Sequence, residues 1–104
     1  AAARNGSGAV GVAYDATLQS IYVNFGIADP GDDATAFNHA RQYADVMNNS
    51  WGYAQTFSDD FGHPDFAAVA AALVAAAEQG RDGLGTVMVT ISGNGRLYQD
   101  DANY

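Results

Sequence analysis

Three groups of residues have the types and spacing to do chemistry. Ser92-Gly93-Asn94-Gly95 directly follows residues 86–91, a β-branched run reading TVMVTI. A strand ending in this way presents an asparagine amide at the carboxyl edge of a sheet, with glycines on both sides giving close backbone access. An amide N–H in that place can donate to an oxyanion developing on a substrate carbonyl. A plain turn is the competing reading, since Asn and Gly both tolerate positive φ. For the tetrapeptide alone the turn is the stronger reading. Asn48-Asn49-Ser50-Trp51-Gly52 is a second strand end of unusual composition. Asp59, Asp60, His63 and Asp65 form the third group. They have metal-ligand types, but an exposed acidic loop accounts for them without a metal.

His39 and His63 invite a triad reading. A triad needs a base within hydrogen-bond reach of a nucleophile and an orienting acid behind it. Neither histidine precedes Gly-Thr; His39 falls in a predicted helix and His63 in a loop before Pro64. No Gly-Thr-Ser nucleophile motif and no strand-ending catalytic Asp motif occurs. Surface histidines are expected, and no triad.

The elements that must position these groups alternate in type. Residues 18–23 (LQSIYV) are β-rich and follow a glycine-punctuated stretch; residues 34–43 (ATAFNHARQY) suit a short helix capped by Asp32 and Asp33. Residues 45–49 (DVMNN) read as a second strand, and residues 66–79 (FAAVAAALVAAAEQ) as the clearest helix. Pro64 and Asp65 suit its first turn, Gly80 stands where a left-handed C-terminal residue belongs, and its alanines predict burial on both sides. Residues 86–91 carry apolar residues on both faces, as a central parallel strand requires. Strand, helix, strand, helix, strand predicts an α/β fold, a parallel sheet with crossover helices. Ligands of such open sheets bind outside the carboxyl ends of the strands, where both unusual strand ends fall.

Composition bounds the partners. The chain has 104 residues, nearly half of them apolar, which fits one small domain or part of a larger one. Eleven Asp and one Glu oppose four Arg and no Lys, a formal charge of −8. Such a surface repels phosphate backbones, so no nucleic-acid partner is expected; it suits divalent cations, basic peptides or a salty, calcium-containing medium. No apolar run approaches the roughly 20 residues of a membrane helix, so no membrane partner is expected either. Cysteine is absent, which excludes disulfides and thiolate chemistry. No signal-peptide pattern is present, and the sequence begins at Ala1 as though cut from something longer.

Four segments in register carry a family resemblance. Gly80-Arg81-Asp82-Gly83-Leu84-Gly85-Thr86-Val87-Met88-Val89, leading into Ser92-Gly93-Asn94-Gly95, resembles the stretch before the oxyanion-hole asparagine of subtilisin-like serine proteases in the kexin/furin branch. The likeness continues through Asp100-Asp101-Ala102-Asn103-Tyr104, where that branch has Asp, Cys and Asn at matching spacing. Ser50-Trp51-Gly52 matches its Ser-Trp-Gly, and the start, from Ala1 through Ala16, looks like the stretch after its catalytic His-Gly-Thr.

The resemblance implies a subtilisin-like parallel sheet with crossover helices, present here as a partial domain. Residues 1–104 would run from just after the catalytic His motif to just after the oxyanion asparagine. The parent would be a secreted, extracellular, calcium-dependent serine endopeptidase working through an acyl-enzyme. Its partners would be a peptide or protein substrate and the remainder of the catalytic domain. Asn94 would be the oxyanion-hole side chain, Ser50-Trp51-Gly52 a backbone rail for the extended substrate, and Ser92-Gly93 the opposite wall of the specificity pocket. The Asn5 loop resembles the tight subtilase calcium loop, with the Asn5 side chain and the carbonyls of Ala2, Ser7 and Ala9 as ligands; an ordinary glycine-rich turn is the competing reading, and the stronger one from Asn-Gly alone. Asp100 would fall at a second calcium near the specificity pocket, with a plain surface aspartate as the competing reading. A catalytically dead peptide- or calcium-binding module on the same scaffold is the alternative.

The departures bear on specificity. Furin-like enzymes follow Ser-Trp-Gly with an acidic segment that selects arginine, whereas Gln55 stands here and Asp59 and Asp60 come later. The acid expected early in the first helix falls near Ala36, and the Cys is replaced by Ala102.

Overall fold

The computed structural model describes residues 4–53 and 60–98. Its elements are α1 (Pro30–Tyr43), β1 (Val46–Asn49), α2 (Ala67–Gly83) and β2 (Val87–Thr90), with 3₁₀ turns at Pro64–Phe66 and Arg96–Tyr98. β1 and β2 pair in parallel, Val46 opposite Val87 and Asn49 opposite Thr90, and α2 forms the crossover between them. The α/β class and the parallel crossover follow the expectation from the alternating pattern.

α1 begins earlier than Asp32 and Asp33 suggest as caps. Asp29 is the N-cap: its Oδ1 accepts from Gly31 N at 2.7 Å and Asp32 N at 3.2 Å. Asp32 completes a capping box by accepting from Asp29 N at 3.1 Å, and Pro30 suits the first helical position because it has no N–H to satisfy. Asp33 is thereby freed for another partner. On α2, Val69, Ala72 and Ala76 recur every three or four residues and make one buried stripe, while Val74 is 55% exposed. Burial on both sides, predicted from the alanines, is therefore not what these residues form: one face of α2 packs against α1 and the other is open.

The end of α2 also differs from expectation. Gly80 is extended (φ −62°, ψ 156°), and the left-handed conformation falls on Arg81 (φ 52°) and Asp82 (φ 56°). Glycine is required at Gly80 for closeness, because a Cβ there would lie 2.6 Å from Thr86 N and collide with the Thr86 side chain. Thr86 locks the junction, donating through its N–H to Ala76 O at 2.9 Å and through Oγ1 to Ala44 O at 3.1 Å. This stitch sets where β2 begins.

Residues 18–23 form no strand. Their backbone makes no hydrogen bond to β1 or β2, and Leu18 and Tyr22 are exposed. β-propensity supplies no pairing partner, and an unpaired extended segment is not a strand. The segment instead runs beside α1, where Gln19 Nε2 meets His39 Nε2 at 2.9 Å.

The core lies between the helices and one face of the sheet. Ala34, Phe37, Val69 and Ala72 form its centre, with Met47, Met88, Trp51, Phe66 and Leu73 packed around them. Met47 and Met88 point to the helices, and the opposite face carries Val46, Val87 and Val89 in the open. The described residues contain no helix long and apolar enough to cross a membrane.

Candidate active-site edge

Parallel pairing decides where the two strand-end motifs emerge. β1 runs directly into Ser50-Trp51-Gly52, and β2 runs through Ile91 into Ser92-Gly93-Asn94. Adjacent parallel strands end at a common edge, so both motifs leave the sheet on the same side. The last rung joins them: Ile91 N donates to Asn49 O at 3.3 Å. A Cβ on Gly52 would meet Ile91 Cδ1 at 3.8 Å, which puts Gly52 beside the residue that precedes Ser92.

Asn94 is exposed, and its side chain makes no hydrogen bond among the described residues. The positive φ of the turn is taken by Gly93 (φ 75°), not by Asn94. Turn chemistry thus explains the glycine and leaves the asparagine amide free to donate elsewhere. Ser92 and Gly93 are exposed beside it.

The Ser50-Trp51-Gly52 segment has no regular structure, and no described backbone hydrogen bond engages it. Side chains hold it. Asn48 Nδ2 donates to Ser50 Oγ at 2.8 Å. The half-buried Trp51 ring lies 6.3 Å from Phe37, stacked, and 5.4 Å from Phe25. Trp51 is thus partly a core residue beneath α1, while the backbone on either side of it stays free. Tyr53 OH donates to Asp33 Oδ2 at 2.6 Å, and its ring packs edge-on against Phe66. Asp33 is buried at 3% exposure.

Tyr53 and Asp33 are the residues at this edge that sequence reasoning missed. They lie twenty positions apart, and Asp33 carried a sufficient local explanation as a helix cap. The only signal was an acidic residue left over once the capping box is drawn around Asp29.

The Asn5 loop is described in part. Asn5 Oδ1 turns back over its own loop to accept from Ser7 N at 3.1 Å, and Gly6 and Gly8 take positive φ (79° and 69°). An amide oxygen with one N–H bound keeps a second lone pair. Ala2 and Asp100 lie outside the described residues, as do Gln55 and Asp59. Among the described residues no three His, Cys, Asp or Glu side chains gather as a metal site. His63 Nδ1 accepts from Asp65 N at 3.3 Å and Asp60 Oδ1 from Gly62 N at 2.8 Å, so these groups cap turns. His39 packs on Tyr43 on the exposed face of α1.

Comparison with known proteins bears on this edge. The Subtilase family model matches residues 1–104. A PC3-like endoprotease (variant B) of Hydra vulgaris is 38% identical over 103 residues, covering 99% of this chain and 14% of that protein. Human proprotein convertase subtilisin/kexin type 7 is 36% identical over 99 residues, covering 92% and 12%. Kexin of Saccharomyces cerevisiae is 34% identical over 95 residues, covering 91% and 11%. The chain therefore spans about one-seventh of these relatives or less. No solved structure matches. With the matched segments in register along the whole chain and its two strand-end motifs on one sheet edge, the chain belongs to the subtilase family, on its kexin-like side.

Proposed function

We propose that the full-length protein is a subtilisin-like serine endopeptidase, and that residues 1–104 are the central part of its catalytic domain. The observation that carries this reading is the emergence of Asn94 and Ser50-Trp51-Gly52 from adjacent parallel strands at one edge. In the proposed mechanism a peptide lies extended along Ser50-Trp51-Gly52, exchanging backbone hydrogen bonds with it as an added strand would. The serine, histidine and aspartate of the triad come from outside these residues. When the serine attacks, charge develops on the carbonyl oxygen, and the free Asn94 amide donates to it. Ser92 and Gly93, being small, leave room for the side chain before the cleaved bond. That side chain need not be arginine: the furin-like acids are missing at Gln55 and Ala36, and Ala36 is buried.

The test is the Asn94→Ala variant of the full-length protease. The amide serves a charge that exists only after attack, so turnover should fall and KM should change little. The scale is set by subtilisin, a member of this same family, in which losing the oxyanion asparagine costs roughly 10²–10³ in turnover. Loss of affinity with turnover kept would make Asn94 a turn residue. A full-length protein with no peptidase activity would favour the catalytically dead module. The 104-residue chain by itself has no nucleophile for the oxyanion hole to assist, so no hydrolysis is expected from it.

Calcium belongs to the same reading. Asn5 Oδ1 with the carbonyls of Ala2, Ser7 and Ala9 would hold one ion, and Asp100 would contribute to a second. The chemistry supplied is structural, a cation tying a loop. Ligand binding to the folded state alone raises stability, so chelation should lower the melting temperature of the full-length protein. Asn5→Ala should remove most of that calcium-dependent shift; an unchanged shift would take the ion away from this loop. Secretion into a calcium-containing medium fits the −8 charge.

A further inference from the structure

We propose that Asp33 is a positioning residue: through the Tyr53 hydroxyl its buried carboxylate holds the substrate rail in register while leaving the rail's backbone unbonded. The proposal rests on the rail assignment above. A rail that takes substrate as an added strand faces a conflict. Its N–H and C=O groups must stay unpaired to receive the peptide, yet a segment without backbone bonds is free to wander, and ordering it on binding would weaken the complex. The ladder between β1 and β2 stops at Asn49, and among the described residues no backbone hydrogen bond holds Ser50, Trp51 or Gly52. Fixation must come from side chains.

Three side chains provide it. Ser50 and Trp51 are held from β1 and α1, through Asn48 and through Phe37 and Phe25. Both lie before or within the rail. Tyr53 is the first residue past Gly52, and its 2.6 Å bond to Asp33 ties the far end to the first turn of α1. A hydroxyl donating to a carboxylate at that distance is a strong, charge-assisted bond. The carboxylate is itself secured, being 3% exposed and seated where the N-terminal dipole of α1 favours negative charge. Because the Asp29–Asp32 box already caps the helix, Asp33 is spare for this task.

The experiment compares Tyr53→Phe and Asp33→Asn with wild type in the full-length protease. Each is assayed on an extended peptide amide and on a short ester with the same residue before the cleaved bond. The ester reaches the reacting centre without using the rail. Tyr53→Phe keeps the ring on Phe66 and removes only the hydroxyl; we expect kcat/KM for the extended peptide to fall about tenfold, mostly through KM, and the ester rate to stay within about twofold. Asp33→Asn keeps an acceptor oxygen and should lose less than Asp33→Ala. Equal losses on both substrates would mean a general structural role, and no loss on either would mean that the bond is idle; both overturn the proposal. Wild type cleaving the peptide while Tyr53→Phe is indifferent leaves the protease reading standing, whereas wild type cleaving neither substrate removes the protease reading and this proposal with it.

Discussion

Asn49 sits at the end of β1 on the helix-covered face, 3% exposed, and neither its Oδ1 nor its Nδ2 has a hydrogen-bond partner. Its backbone is used, since its carbonyl takes the last rung from Ile91, but its amide is not. A buried polar group without a partner costs about 1–3 kcal/mol, and an apolar residue of similar volume avoids that cost. Asn49→Leu should therefore leave the unfolding free energy of the full-length protein, read from a urea titration, unchanged or raise it by up to about 1 kcal/mol. A loss above about 1 kcal/mol would mean that a water or another group holds the amide. Nothing in Asn48-Asn49-Ser50 distinguishes the buried amide from the exposed one, because facing is settled only by the pairing register. The place of Asn94 just beyond a strand was legible for the opposite reason: it depends on consecutive neighbours, a strand before it and glycines around it. The Asp33–Tyr53 bond was not, since each residue type has a commoner local explanation.

At the scale of elements, what the sequence makes legible is what periodicity and capping control. The two helices and the strands at residues 46–49 and 87–90 fall where their patterns place them, with ends shifted by a capping box and by a packed glycine. Residues 18–23 have the same β-rich look and fail because strand formation is a property of pairs. The α2–β2 junction offers an element-scale prediction. Arg81 and Asp82 both hold left-handed backbone, which costs a non-glycine residue roughly 1–2 kcal/mol. Arg81 has compensation: its Nε lies 3.3 Å from Asp45 Oδ1, tying the turn to the start of β1. Asp82 is exposed and has no such partner among the described residues. Asp82→Gly relieves that conformation but enlarges the freedom of the unfolded chain, so a net gain of about 0.5 kcal/mol is expected. Arg81→Gly loses the ion pair as well and should gain less. Thermal melts of the two variants decide it, and a destabilised Asp82→Gly would show that the turn is not strained there.

Among the described residues, nothing covers one face of the sheet. Val46, Val87 and Val89 are 58%, 48% and 46% exposed on the side away from the helices, and Ile91 is 41% exposed just beyond β2. Apolar residues on both faces, methionines toward the helices and valines away from them, are the composition of a sheet covered twice, yet α1 and α2 cover it once. The relatives are about seven times longer or more, so the proposed remainder of the domain has ample chain to form the second layer. Two contexts then give opposite signs for the same substitutions. In the isolated 104 residues the valines form an apolar patch, and Val87→Thr with Val89→Thr should reduce self-association seen by light scattering. In the full-length protein the same hydroxyls would be buried against a second layer, each costing about 1–3 kcal/mol and lowering the urea midpoint. Full-length protein indifferent to both substitutions would mean that this face meets water in the whole molecule. The placement of residues 1–104 at the centre of a catalytic domain would then be wrong, even with the family assignment intact.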